Sequence, residues 1–477
     1  MPRSPQRRTR VVATIGPASS DPAVLSAMVA AGMDVARLPL AHGSIDDAVA
    51  RFRLIRSAAP DVGILADLPG PKIRAAAFPE GGARVNAGDA IELVTAEGKD
   101  TASSATRLAV AHEDMVQQLI PGDRVLLGDG LVALQVEDRT GDRVTARVLS
   151  GGLLQGRPGV TAPAGRARLV TPTPEDLSRL EVLLSEGVDA VAVSFVRRAA
   201  DMEAVRAVVG ADGPLLMAKI ETGEAVDDLD HILAASDAVM VARGDLGVRI
   251  PLEDVPHVQK MVIKAAVRFG RPVTTATQML ESMITSPAPT RAEVTDVANA
   301  VFDGTSAVML SGETAIGLHP VAAVATMANI ARRAEADFDH SAWGEGLGVQ
   351  AVAGGQAERI TATTTSAAWR ASREGAAAII ACTRSGTTAR VISRFRPEIP
   401  IVAATPSTRT ARHLTLSWGV STVSVPLSDS TDDIVWFAVK AAVEAGFAAA
   451  GDVVVVLAGS PTEPDPITDT MRIVSVH

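Results

Sequence analysis

The chain has 477 residues, 47% apolar and 21% charged, which excludes a disordered or low-complexity protein and calls for about two to four folded units. Its net charge of −10 argues against a general attraction to phosphate polymers, and aromatics at 3% with no tyrosine disfavour stacking platforms for bases. No apolar run approaches the roughly 18 residues of a membrane span, and the basic start, Met1 to Arg10, is not followed by an apolar stretch of signal-peptide length. Neither nucleic acid nor a membrane is expected as a partner, the basic start reads as a solvated tail, and the expected location is cytoplasmic. The single cysteine, Cys382, cannot close an internal disulfide, and no Cys/His pair has zinc-ligand spacing.

In chain order, strand-like runs at Val11 to Ile15, Val35 to Leu38 and Gly63 to Leu68 alternate with helical patterns near Pro22 to Ala31 and Ile45 to Ser57. After Pro69-Gly70-Pro71 the pattern changes to short alternating strands with turn signals such as Gly128-Asp129-Gly130 and Thr140-Gly141-Asp142, which reads as an inserted β-rich unit over residues 75–168. Thr173-Pro174-Glu175-Asp176 is a helix start, and the alternation resumes with runs at Ala190 to Phe195, Leu215 to Ile220, Ala238 to Ala242, Val273 to Thr277 and Ala307 to Leu310. Eight such runs with intervening helices predict an α/β fold, a (β/α)8 TIM barrel built from residues 1–74 and 169–340. The Gly-rich stretch over residues 341–358 reads as a linker. Residues 359–477 then alternate helices with apolar runs at Ala377 to Ala381, Ile401 to Ala404 and Val453 to Leu457, the pattern of an open α/β sheet.

A barrel of this kind carries its chemistry at the C-terminal ends of the strands. Those ends hold Thr14, Arg37, Asp67, Ser194, Lys219 with Glu221, Arg243 with Asp245, Thr277, and Ser311 with Glu313. Members of each pair stand two apart, so in extended chain each pair faces one side and can face one cavity. Glu221 and Asp245 suit a hard divalent cation, which prefers one or two carboxylates plus water and substrate oxygens. Arg37 and Lys219 add fixed positive charge. Carboxylates, cations and hydroxyls around one pocket match phosphoryl transfer, where positioning and charge neutralisation do most of the work. The alternative is a ring of salt bridges at the barrel rim. Neither a Walker-A sequence nor G-x-G-x-x-G is present, so a nucleotide would need Gly16-Pro17, His42-Gly43 or Arg74.

Several long motifs stand together here: Ala13-Thr14-Ile15-Gly16-Pro17-Ala18-Ser19, Ala218-Lys219-Ile220-Glu221, Met240-Val241-Ala242-Arg243-Gly244-Asp245-Leu246-Gly247, Ala276-Thr277-Gln278-Met279-Leu280-Glu281-Ser282-Met283 and Met309-Leu310-Ser311-Gly312-Glu313-Thr314-Ala315. Through them the chain, from about residue 10 to its end, closely resembles pyruvate kinases. The resemblance implies phosphoryl transfer from phosphoenolpyruvate to ADP, giving pyruvate and ATP in glycolysis, with the inserted unit as a small β-barrel that serves as a mobile lid. Arg37 and Lys219 would hold the phosphoryl group, and Glu221 with Asp245 would bind Mg2+ or Mn2+. Gly244, Asp245, Thr277 and Ser194 would bind substrate, Ser311 and Glu313 would belong to the proton path, and Thr14, Pro17, His42 and Arg74 to the nucleotide side. A homotetramer is implied as well.

The chain also departs from the family pattern. Pro39, Ala41 and Leu68 stand where potassium-requiring members carry oxygen donors, leaving Asp67, and Lys72 matches the lysine of potassium-independent members. An ammonium there would replace the monovalent cation, so potassium is not expected to be required. Pro158, Thr161 and Arg249 replace a common Lys, Asn and Glu. A diverged barrel phosphotransferase with another enol phosphate or acceptor, and a non-catalytic effector-binding paralogue, are the competing readings. The last unit resembles an allosteric effector domain. Thr383, Ser385, Thr387 and Thr388 at a strand-to-helix turn would take a phosphorylated effector, or would serve only as helix caps. Pro464 and Pro466 replace the glycines usual in the effector loop.

Overall fold

The computed structural model describes residues 7–41, 43–96, 101–128, 130–141, 143–163, 165–167, 169–347, 355–459 and 467–477. Eight strands, Arg10–Thr14, Val35–Pro39, Gly63–Leu68, Ala190–Val193, Leu215–Ile220, Ala238–Ala242, Val273–Ala276 and Ala307–Leu310, pair in parallel in chain order. The first then pairs with the eighth, Val11 opposite Val308, and closes the barrel. These strands read as continuous apolar runs because both faces are covered. One set of side chains, including Val11, Ala36, Ile64, Val191 and Val308, packs outward against the helices. The alternate set, including Val12, Leu65, Met217, Met240 and Met309, fills the interior.

The helices that follow the strands are set by local chemistry. Asp21 and Thr173 cap the starts of Pro22–Ala31 and Pro174–Glu186, and Gly32 and Gly187 close them in left-handed conformation. The chain leaves the barrel after the third strand. A six-stranded sheet follows, in the order Val160–Thr161, Arg124–Leu127, Val132–Thr140, Arg143–Ser150, Ala90–Thr95, Arg107–Val110, with a two-stranded sheet of Ala83–Val85 and Gly152–Leu154 beside it. It has its own apolar core, with Leu93, Leu108, Val125 and Leu134 fully enclosed.

The stretch read as a linker is more ordered than its composition implied. It holds the helix His340–Leu347, and the next helix, Gln356–Ser372, begins within it. Trp343 explains the first of these: its indole donates to the Arg394 carbonyl at 2.8 Å, anchoring a Gly-rich helix that propensity alone would not hold. The C-terminal sheet has five strands, in the order Val420–Ser424, Ile401–Thr405, Ala378–Cys382, Val453–Ala458, Thr470–Ser475, the last antiparallel.

This sheet packs under the barrel, at the end opposite the strand C-termini. Leu416 joins the barrel's interior cluster from below. The basic start differs from a solvated tail over the residues described: Arg7 and Arg10 pair with Asp34 at 2.7 and 3.0 Å, and Arg10 Nε donates to the Ser417 carbonyl at 2.9 Å. No helix among the described residues is long and apolar enough to cross a membrane.

Candidate active site

The mouth of the barrel gathers strand-end side chains around Lys219. Its ammonium lies 2.8 Å from Glu221 Oε1 and 3.3 Å from Asp67 Oδ1, and donates to Ser194 Oγ at 2.7 Å. Asp67 also accepts from Arg37 Nε at 2.7 Å, and Arg37 Nη1 reaches Thr14 Oγ1 at 3.1 Å. Thr14 in turn donates to the Leu310 carbonyl at 2.8 Å, so the nucleotide-side expectation for Thr14 meets a buried hydroxyl that braces Arg37.

The charges here are set by one another. Burial alone would lift Asp67, but Lys219 and Arg37 hold it below the usual carboxylate range. Burial would likewise depress Lys219, and Asp67 with Glu221 outweigh it, holding the ammonium well above its ordinary value. Glu221 goes the other way: burial, then the nearby Asp245, push it up against the pull of Lys219. Lys219 is thus a charged ammonium shared by two acids, and Glu221 is the less satisfied of them. Glu221 Oε2 accepts the Phe195 N–H at 2.9 Å, while the fully buried Oε1 has ion-pair proximity to Lys219 without hydrogen-bond geometry.

That oxygen, with Asp245, fits a divalent cation. Among the described residues no group of three or more His, Cys, Asp or Glu is placed to hold a metal; two carboxylates would be the protein ligands, the number magnesium commonly uses when substrate oxygens complete the shell.

The two-apart pairing rule holds for Lys219 and Glu221 and fails for the other two pairs. The chain turns helical immediately after the sixth strand, over Arg243–Gly247, and after the eighth, over Gly312–Ala315, so period-two alternation no longer applies. Arg243 therefore turns away from Asp245. It grips Asp296 with both terminal nitrogens at 2.7 Å and donates to the Thr277 carbonyl at 2.7 Å. Glu313, fully buried, folds back to accept the N–H groups of Ser311 and Leu280 at 2.7 and 3.1 Å. Both side chains brace the turn after the seventh strand. There Thr277 and Gln278 hold φ of 70° and 52°, a conformation costing about 1–3 kcal/mol per residue and kept where the surroundings over-determine it. Thr277 leaves the strand for this reason, and its Oγ accepts the Gly244 N–H at 2.8 Å.

Lys72 lies 3.4 Å from Asp245 Oδ1, while the Asp67 oxygens are engaged by Arg37 and Lys219. The two groups expected to replace a monovalent cation thus sit on opposite flanks of the cluster. Arg74 is at the hinge into the inserted sheet, bridged to Gly159, its Nη1 donating to the Arg157 carbonyl at 3.3 Å. Pro17 is exposed at a short turn beside the eighth-strand helix, Ser311 Oγ is buried without a partner, and His42 lies outside the described residues.

Phe195 is a residue that strand reading passed over. At φ 58° its N–H meets Glu221, the Arg249 guanidinium lies 5.0 Å from its ring centroid, and Gly70 packs on it. Any Cβ on Gly70, whose φ is +66°, would stand 2.8 Å from that ring. No residue type marks this contribution in sequence, since it is made by a backbone N–H.

At the distant turn, Thr383 Oγ1 accepts the Gly386 N–H at 2.9 Å, Ser385 and Thr387 hydroxyls meet at 3.0 Å, and Thr388 bonds Thr468 at 2.7 Å. The helix Thr387–Ser393 has Gly386 as its N-cap without a side-chain cap bond, so neither Ser385 nor Thr387 caps it. Pro464 and Pro466 lie outside the described residues.

A closed β/α barrel whose mouth surrounds a shared lysine with an arginine, two buried acids and a third carboxylate has its charged side chains where barrel enzymes carry their active sites. Residues 6–324 match the family model described as pyruvate kinase, barrel domain, and residues 361–474 the one described as pyruvate kinase, alpha/beta domain. The chain is 42% identical to a pyruvate kinase of Agrobacterium vitis over 98% of both chains. It is 38% identical to that of Clostridium acetobutylicum over 98% of this chain and 99% of the relative, and 40% identical to that of Geobacillus stearothermophilus over 98% and 80%. The chain belongs to the pyruvate kinase family.

Proposed function

We propose that this chain transfers the phosphoryl group of phosphoenolpyruvate to ADP, a glycolytic step carried out in the cytoplasm, and that Lys219 is its electrostatic centre. The supporting observation is the Lys219 cluster itself: an ammonium held charged by Asp67 and Glu221 and flanked by Arg37. In the reaction the bond between phosphorus and the enol oxygen breaks, a bond from a terminal ADP oxygen to phosphorus forms, and the enolate carbon takes a proton to give pyruvate. Arg37 and Lys219 offset charge on the phosphoryl oxygens. Thr277 Oγ, with the amides of Gly244 and Asp245, receives the substrate carboxylate. Ser311 lies on the proton path, and Glu313 positions it by holding its backbone N–H.

Glu221 and Asp245 would hold Mg2+ or Mn2+. When bound, that cation neutralises phosphoryl charge and helps orient the substrate. Lys72 supplies the monovalent charge and makes potassium dispensable. Its ammonium is a compact point charge beside Asp245, near where the phosphoryl group passes. The turn at Thr383, Ser385, Thr387 and Thr388 is the proposed site of a phosphorylated effector. For assembly we propose a homotetramer.

Pyruvate release from phosphoenolpyruvate, ADP and magnesium, measured in tetramethylammonium buffer with and without potassium, is the deciding assay. Turnover that potassium leaves unchanged, and that Lys72→Ala lowers unless potassium is added, is the expected result. No pyruvate under any condition would overturn the activity, and strong potassium activation of the unmodified chain would overturn the role of Lys72. Phosphorylated sugars added to the same assay should shift phosphoenolpyruvate affinity, and Thr387→Glu should blunt that shift through charge repulsion.

A further inference from the structure

A cavity of about 20 Å³ lies between the barrel floor and the C-terminal unit. Four of its lining residues, Arg271, Arg390, Arg394 and Arg396, are arginines, and none of the described residues lining it is acidic. Two more, Ser417 and Trp418, join them. Arg394 Nε, Arg396 Nη1, Ser417 Oγ and Trp418 Nε1 are buried without any hydrogen-bond partner. Arg396, Ser417 and Trp418 are 1–2% exposed. The three nitrogens are donors only and the serine hydroxyl donates as well as accepts, so this lining has more donors than acceptors to meet them.

Nearby carboxylates are already engaged. Asp237 is paired with Arg206 and accepts the Leu216 N–H at 2.9 Å, and Glu335 accepts the Arg8 N–H at 2.9 Å. The guanidinium groups are partly used as well: Arg394 Nη1 donates to the Arg268 carbonyl at 3.3 Å, and Arg396 Nη2 to the Thr305 carbonyl at 2.5 Å. Burial pushes Arg390 and Arg394 down to about 10 and Arg396 to about 9, against a smaller opposing pull of Asp237 on Arg390 and of Glu335 on Arg396.

We propose that this cavity is a binding site for a small inorganic anion of about chloride's size, which ties the C-terminal unit to the barrel floor. An anion supplies acceptor capacity without needing acceptors for itself, whereas a water must place its own two hydrogens. The volume is close to the roughly 10–15 Å³ that one water-sized body needs, which suits a monatomic anion. The site is separate from the Lys219 cluster, and its test does not depend on turnover. Arg390 also donates to the Ser385 carbonyl and Thr387 Oγ1, both at 3.1 Å, linking the cavity to the turn above it.

The full chain should be melted in sodium chloride and sodium gluconate at equal ionic strength and pH. Chloride should raise the melting temperature saturably, by about 2 °C or more over gluconate. Arg394→Met should abolish the chloride effect, and Ser417→Ala should raise its midpoint about tenfold. Crystals of the unmodified chain grown in bromide should show an anomalous peak in the cavity, a readout independent of whether the variants fold. Equal melting in chloride and gluconate, a chloride effect unchanged in both variants, or water alone at the bromide site would each overturn the proposal.

Discussion

Lys219 stands between Asp67 and Glu221, both buried, with side-chain exposures of 10%, 3% and 0%. Removing one partner from such a group leaves uncompensated charge in the interior, at a cost of about 3–5 kcal/mol. Lys219→Met should therefore lose turnover by orders of magnitude and lose stability too. The pH dependence has a definite sign. Without the ammonium, Arg37 still holds Asp67 down, whereas burial and Asp245 raise Glu221 further, so its neutral form is favoured in the folded state and stability falls as pH rises through the raised value. Denaturation at pH 5 and pH 8 should show the deficit of Lys219→Met against the unmodified chain growing toward pH 8; a deficit independent of pH would mean that Glu221 is not the group it leaves uncompensated. Sequence could name these three side chains because each ends a continuous apolar strand, where a charge has no reason to be unless it faces the barrel mouth. It could not name Phe195, whose contribution is a backbone N–H at a positive φ. Main-chain direction leaves no mark in residue type.

Among the elements, strand positions were legible nearly to the residue, since runs such as Leu215 to Ile220 are apolar on both faces and end abruptly. The turns beyond them were not, because alternation says nothing once the chain becomes helical, and Arg243 and Glu313 were assigned to the cavity on that alternation. Their actual work is to hold the turn after the seventh strand. Arg243→Lys keeps the charge but loses the planar fork that spans Asp296 and the Thr277 carbonyl. We expect kcat to fall about 10- to 100-fold, with the melting temperature changed by only a few degrees, and the KM for phosphoenolpyruvate to rise as Thr277 loosens. Unchanged kinetics in Arg243→Lys would show that charge alone suffices there. In the C-terminal sheet the central strands were readable and the edges were not: Val420–Ser424 is half polar, and Thr470–Ser475 is largely exposed, so neither presents an apolar run.

Over the whole molecule the chemistry and the C-terminal unit lie at opposite ends of the barrel, and the joint between them was invisible in sequence because its residues are scattered over the chain. His413 marks it. Burial, with Arg409 and Arg390, lowers its imidazole to about 4 despite Asp237. A histidine kept neutral in the fold contributes stability that is present above its unfolded value near 6.5 and is lost as pH falls toward 4, up to about 3 kcal/mol. His413→Leu should flatten the acid limb of a stability profile between those values; an unchanged limb would assign the acid sensitivity elsewhere. Leu416, three residues on, has a different consequence. It closes the interior of the barrel from outside the barrel's own segment, sharing a core with Val12, Leu65 and Met309. Cutting the chain after Pro320–Ala336, the last helix of the barrel, would thus unstopper the barrel and admit solvent to its lowest layer, so the barrel is not a detachable module: evolution could exchange the C-terminal unit only by keeping the plug.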